Sequence, residues 1–87
     1  MYTFEIREHL DKIFKKIGKK NKKQLEIIYN KIAAVIENPQ HYTNLRVPLQ
    51  HLKSVHIDKS FVLLSSVDEN LKKIIFEEFG HHDRIYK

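Results

Sequence analysis

Phe61-Val62-Leu63-Leu64-Ser65-Ser66-Val67-Asp68-Glu69-Asn70-Leu71-Lys72-Lys73-Ile74-Ile75-Phe76 is the stretch whose reading decides the fold. Its first half is an apolar run from Phe61 to Val67 whose length and β-branching suit a central strand covered on both faces. Asp68-Glu69-Asn70 is turn chemistry. The segment after the turn is open to two readings. Leu71, Ile74, Ile75 and Phe79 fit a helix, with Asp68 or Asn70 as N-cap and Gly80 just past the end. Ile74-Ile75-Phe76 also fits a strand that completes a hairpin with Phe61–Val67. Two considerations favour the strand: a lone apolar strand needs a partner, and the turn has hairpin length.

Upstream, Val55 and Ile57 alternate with His56 and Asp58, which predicts another strand over Leu52 to Asp58. Before it, Leu45 onward is mixed and contains Pro48. Further back, Leu25, Ile28, Tyr29, Ile32 and Ile36 keep the helical period, with Ala33 and Val35 widening the stripe. Asn21 is a fitting N-cap, and Asn38-Pro39 ends this helix because the residue before proline is pushed out of the α region. Leu10, Ile13, Phe14 and Ile17 mark an earlier amphipathic helix, with Gly18 in the position of a C-terminal cap and Lys15 and Lys16 complementing the dipole of its last turn. Tyr2, Phe4 and Ile6 alternate with Thr3 and Glu5, as a short first strand would. The expected architecture is α+β: a small antiparallel β-sheet with an N-terminal helical hairpin packed on one face and the other face partly open.

At 87 residues, residues 1–87 make a single domain. An apolar fraction of 41% supports a modest core. The absence of cysteine excludes disulfides, thiolate chemistry and cysteine-ligated zinc. No apolar run spans a bilayer and no signal-peptide pattern is visible, so a cytoplasmic protein with no membrane partner is expected. The net charge is +5 and the pI about 9.5. The excess is concentrated in Lys15, Lys16, Lys19, Lys20, Lys22 and Lys23, at the tip of the helical hairpin. Such a block attracts polyanions, although a solvated helix connection would look the same.

The end of the chain, Gly80-His81-His82-Asp83-Arg84-Ile85-Tyr86-Lys87, is rich in chemistry where chains usually fray. There is no phosphate loop, no Gly-x-Ser-x-Gly and no His-Glu-x-x-His. His51, His56, His81, His82 and Asp83 follow no known zinc spacing, so neither a metal nor another cofactor is expected. Acid–base cleavage of RNA does fit. It needs a base for the 2′-OH proton, an acid for the leaving 5′-oxygen, and cations for the charged phosphorane. Histidine serves either proton role, and arginine and lysine the third. An aromatic ring can hold a splayed base. His56 would add a second imidazole if the tail pairs alongside its strand. His81 and His82 alternate in direction if extended, so His81 is expected to point away.

Taken together, the short strand, the lysine-rich hairpin ending in Glu37-Asn38-Pro39, Pro48-Leu49-Gln50, His56-Ile57-Asp58-Lys59-Ser60-Phe61-Val62-Leu63-Leu64 and the tail resemble the RelE/ParE superfamily of small toxins from bacterial and archaeal toxin–antitoxin pairs. The resemblance covers nearly the whole chain and is nearest the RelE/YafQ branch of ribosome-dependent, metal-independent mRNA endoribonucleases. It implies a βααβββ order, with Leu71–Phe79 as a strand and room for a short extra C-terminal strand. It also implies site residues: His82 as the tail acid–base group, His56 as its opposite partner, Tyr86 as the near-terminal aromatic, Phe61 as a stacking surface, and Arg84 as a phosphate contact. Two departures stand out. No arginine precedes the central apolar run, and Ser60 stands where YafQ-type toxins have an aspartate. The phosphate clamp would then fall to Lys53, Lys59 or Lys87, while Lys15, Lys19, Lys20, Lys22 and Lys23 would hold ribosomal RNA.

The expected function is therefore an mRNA-cleaving toxin bound and inhibited by a cognate RelB-like antitoxin, with mRNA and ribosome as its other partners. The alternatives are a ParE-type relative acting on DNA gyrase, or an inactive RNA-binding relative.

Overall fold

A computed structural model describes residues 2–85. The order is β1 (Thr3–Ile6), α1 (Glu8–Lys20), α2 (Lys22–Glu37), a 3₁₀ turn at Pro39–His41, β2 (Lys53–Ile57), β3 (Phe61–Asp68), β4 (Lys73–His81) and a final short helix, α3 (His82–Ile85). The sheet order is β1-β4-β3-β2. The ambiguous segment is a strand. β4 is antiparallel to β3, and β1 adds to its other side in parallel. The β3–β4 turn is built by Asp68, whose Oδ1 accepts the backbone N–H groups of Asn70 at 3.0 Å and Leu71 at 3.1 Å.

The helical hairpin covers one sheet face. Leu10 and Phe14 from α1 and Ile28, Ile32 and Val35 from α2 pack on Val55, Ile57, Leu63, Ile74 and Phe76. The opposite face is less open than the sequence suggests. Leu52, Val62 and Leu64 form a second cluster there, capped by Leu45 and Leu49 from the long connection and by Ile85 from α3. β3 is thus covered on both sides, as the apolar run Phe61–Leu64 in its first half requires.

The helix connection is a single residue. Asn21 ends α1 by donating its N–H to the Ile17 carbonyl at 2.7 Å. It also starts α2, its side chain accepting the Gln24 N–H at 3.1 Å. Gly18 is not the cap that the sequence suggests. It lies inside α1, where a Cβ would stand 2.8 Å from Leu25 Cδ2, so its missing side chain serves the close approach of α2. The described residues likewise end in α3, where the family pattern allows for a short extra C-terminal strand.

One irregularity organises the β1 side. The β3–β4 register shifts between Leu64 and Ser65, leaving Glu77 as the extra residue of a bulge. Its carboxylate accepts from Arg7 Nε at 2.9 Å and Ser66 Oγ at 2.7 Å. Burial alone would raise the Glu77 carboxyl, but the hydrogen bonds and charge of Arg7 and Ser66 outweigh it and hold the group below its ordinary value. Glu5 is lowered by its contact with Lys73 at 2.7 Å. These pairs tie β1 and the start of α1 to β4.

A carboxylate with a depressed folded-state pKa stabilises the fold above its unfolded value and loses that contribution as pH falls through the folded one. Arg7→Gln is therefore expected to lower stability at pH 7 and to shrink the further loss between pH 5 and pH 3, read by urea unfolding at each pH. Separately, Ser65 is fully buried and its hydroxyl has no hydrogen-bond partner among the described residues. Ser65→Ala is expected to raise the unfolding free energy by roughly 1 kcal/mol, since a buried hydroxyl left unpaired carries a desolvation cost. An unchanged or lower urea midpoint would show that the hydroxyl is satisfied in solution.

Candidate functional site

The β3–β4 register delivers the tail. Phe61 lies opposite His81, and Val62 opposite Gly80. On the other side of β3, Ile57 lies opposite Phe61, and His56 opposite Val62. The β2–β3 turn and the end of β4 therefore meet at one end of the sheet. Asp58 makes that turn tight by adopting φ 60°, a left-handed conformation that Asp tolerates better than most residues. The turn is then locked to the tail, because the His82 N–H donates to the Ser60 carbonyl at 2.9 Å. Beyond this bond the chain coils into α3 and returns Ile85 to the sheet, where its Cδ1 stands 4.0 Å from the position a Cβ on Gly80 would take.

An open cleft of about 550 Å³ lies at this junction, lined by Ile13, Phe61, Glu78, Phe79, Gly80, His81, Arg84 and Ile85. Its floor is aromatic. Phe61 and Phe79 stack with centroids 5.4 Å apart and rings 7° from parallel. His81 meets Phe61 edge-on at 5.7 Å. His81 thus faces the cleft, contrary to its expected outward direction. The two imidazoles do not diverge either: their rings stack at 4.7 Å and 28°. The alternation expected of an extended tail fails because β4 ends at His81 and the helical turn begins at His82. Asp83 joins them. Its Oδ1 lies 2.9 Å from His82 Nδ1 and its Oδ2 lies 3.6 Å from His81 Nδ1.

The other candidates divide into two groups. Lys59 lies in the locked turn and Arg84 on the cleft wall, so both are local to the tail. His56 is exposed and in register with Gly80 through Val62. The tail does not pair beside it, because β3 intervenes. Two strand spacings put its Cα roughly 10 Å from Gly80 on the same face. Lys53 is not part of the cluster. It starts β2, roughly 13 Å along the strand from Ile57. Its ammonium donates to the Tyr42 carbonyl at 2.9 Å and to Asn44 Oδ1 at 3.2 Å. Tyr86 and Lys87 lie outside the described residues.

The lysine tip overhangs this same end. α1 follows β4, with His9 Nε2 3.0 Å from Glu78 Oε1, Phe14 against Phe79, and Ile13 in the cleft wall. From Ile13 the helix continues about 10 Å to Lys20 in the direction of the tail end. Lys15 is paired with Asp11 at 3.3 Å. Lys19, Lys20, Lys22 and Lys23 are exposed around the Asn21 connection. The opposite end mixes charges, with Lys72 Nζ 5.4 Å from the Tyr2 ring centroid. There the Glu69 carboxylate accepts from Tyr2 Oη at 2.7 Å and Gln40 Nε2 at 3.2 Å, contacts led by Tyr2 that hold it below its ordinary value.

Sequence reasoning missed three participants: the His81 face of the cleft, the Asp83 contact with both rings, and the His9–Glu78 pair beside the cleft. Only the adjacency of Asp83 to the histidines was visible in the sequence. Among the described residues, no helix is long and apolar enough to cross a membrane.

No family model matches the chain. A Methanocaldococcus jannaschii protein named "Putative toxin RelE4" is 55% identical over 87 residues, spanning 100% of this chain and 93% of its own. Two solved structures share the fold at low identity. One is in the toxin–antitoxin complex RelBE2 from Mycobacterium tuberculosis, with TM-score 0.77, 16% identity and coverage of 93% of this chain and 98% of that one. The other is YafQ from Escherichia coli, with TM-score 0.74, 17% identity and coverage of 100% of both chains.

Proposed function

The chain belongs to the RelE/YafQ-type toxin superfamily, and on that premise we propose that it is the toxin of a toxin–antitoxin pair and cleaves mRNA on the ribosome. The observation that carries this reading is the gathering of unlike groups at one end of the sheet. Two imidazoles, the Arg84 guanidinium, the turn lysine Lys59 and an aromatic floor meet beneath a tip of exposed lysines.

Each part has work to do in RNA cleavage by 2′-OH attack. Asp83 Oδ1 lies 2.9 Å from His82 Nδ1, and a carboxylate there favours the tautomer protonated on Nδ1, which leaves Nε2 with a lone pair for the 2′-OH proton. His56, in register with Gly80 across β3, is assigned the proton for the departing 5′-oxygen. Arg84 and Lys59 offset the charge that builds on the phosphorane. Phe61 offers a face for an unstacked base. The clamp role moves from Lys53, whose ammonium is already engaged, to Lys59. Tyr86 and Lys87 keep their expected supporting roles in aromatic contact and phosphate binding.

Outside the site, the lysine tip contributes a sequence-independent attraction to ribosomal RNA that weakens with salt. A cognate RelB-like antitoxin completes the system. Apolar surface remains open for it, including Phe4, Tyr29 and a cleft of about 570 Å³ beside Tyr2, Ala33 and Ile36.

The test is a translation extract programmed with one mRNA and probed by primer extension. Wild type is expected to produce discrete cuts, and His82→Ala to slow them by roughly 10²–10⁴-fold, the usual worth of a general acid or base. Intact mRNA with wild type, or equal cutting by His82→Ala, would overturn the assignment. Lys59→Ala is expected to slow cleavage more than Lys53→Ala in the same assay.

A further inference from the structure

We propose that His81, His82 and Asp83 form a binding site for one zinc-class divalent cation, and that occupation of this site shuts off His82 as a proton-transfer group. The site itself is argued from geometry alone. Its inhibitory consequence rests on the function proposed above.

One ligand atom from each of the three residues lies within 4.8 Å of the other two. A dication with bonds of about 2.0–2.2 Å to imidazole nitrogen and carboxylate oxygen holds neighbouring ligand atoms roughly 3–3.5 Å apart. The observed separations, 2.9 Å from His82 Nδ1 to Asp83 Oδ1 and 3.6 Å from His81 Nδ1 to Asp83 Oδ2, lie close to that spacing, each on its own carboxylate oxygen, and the cluster, within 4.8 Å, tightens on binding. Two imidazoles and one carboxylate suit the borderline metals, above all Zn²⁺ and Cu²⁺, over Mg²⁺ or Ca²⁺. The backbone beneath the cluster is held on both sides, by the His82 N–H bond to Ser60 and by Ile85 in the second core cluster. One contact is given up on binding. The Asp83 N–H donates to His81 Nδ1 at 3.2 Å, a long bond that a metal–nitrogen bond replaces. The neighbouring cations Arg84 and Lys59 oppose a dication, so the site is expected to be reversible and not a structural centre.

The chemical consequence concerns the His82 tautomer. With Asp83 Oδ1 2.9 Å from Nδ1, the metal-free ring favours its proton on Nδ1 and its lone pair on Nε2. A metal on Nδ1 takes that position, and the neutral ring keeps its one proton on Nε2. The ring then has no lone pair to accept the 2′-OH proton. Metal and catalysis are exclusive at the same residue. In this the cluster differs from a catalytic metal centre, where the bound ion supplies the nucleophile or the Lewis acid.

The test uses the untagged full-length chain and Zn²⁺ alone, followed by competition with a chromophoric zinc indicator and by two-dimensional NMR of backbone amides and imidazoles. Saturation at one equivalent is expected, with the largest changes at Gly80–Arg84 and Ser60. His81→Ala and Asp83→Asn should each weaken binding about ten-fold or more, since even lost outer partners cost that much at metal sites. His41→Asn, on the 3₁₀ turn, should leave it unchanged. Asp83→Asn removes only a surface carboxylate, so its amide spectrum reports whether the fold is kept. Absence of binding, or binding indifferent to both His81→Ala and Asp83→Asn, overturns the site. In the translation extract, Zn²⁺ should suppress cleavage by wild type and a chelator should restore it, while His81→Ala, whatever its metal-free rate, should keep that rate at the same Zn²⁺ concentrations. Undiminished cleavage by the zinc-loaded wild type overturns the inhibitory consequence. Failure of the metal-free chain to cut mRNA counts against the nuclease reading and leaves the binding result standing.

Discussion

Pairing of β3 with β4 sets Phe61 opposite His81 and Val62 opposite Gly80, and the rest of the molecule is arranged around that register. A slip of one residue would turn Leu63 and Phe79 away from the helical hairpin and bring polar residues into the core. The same slip would carry His81 off the aromatic floor and break the bond from His82 to the Ser60 carbonyl. Packing and chemistry are thus fixed by one set of backbone hydrogen bonds. The bulge at Glu77 lets β4 keep this register at the tail end while β1 pairs along its first half, and its carboxylate holds the crossing into α1 through Arg7.

The polarity of the domain stems from the same topology. β1 and β4 are parallel, so the chain leaves β1 heading towards the tail end, and α1 continues in that direction. The lysines around Asn21 therefore project over the end where β4 finishes. Lysines that are far from the tail in sequence come to overlook it because one helix follows one strand. The return helix α2 then carries the chain back to the end held by Tyr2, Gln40 and Glu69.

Much of this was legible in the residues. The helices are set by the spacing of Leu10, Phe14, Ile28 and Ile32, and Asn21 caps as its chemistry suggests. β3 opens on the apolar run Phe61–Leu64, which double coverage explains. β4 was legible only through its neighbour, because its local pattern fits a helix equally well. Gly18 was misread, since a glycine after an apolar stripe looks the same whether it ends a helix or admits a neighbouring one. The site was legible in composition but not in arrangement. Nothing local says that the chain switches from strand to helix between His81 and His82, and that switch is what stacks the rings. Lys53 and Lys59 look alike in sequence, but the length of β2 separates them and places only Lys59 at the tail.

RNA handling at the tail end of the sheet is the central claim. A short single-stranded RNA titrated into the ¹⁵N-labelled chain, with its amide resonances monitored, tests it most directly. Shifts are predicted to concentrate at Lys59–Phe61, Phe79–Arg84 and the lysines around Asn21, while Tyr2, Gln40 and Glu69 stay quiet. Shifts centred on Tyr2, Gln40 and Glu69, with the tail unmoved, would contradict it.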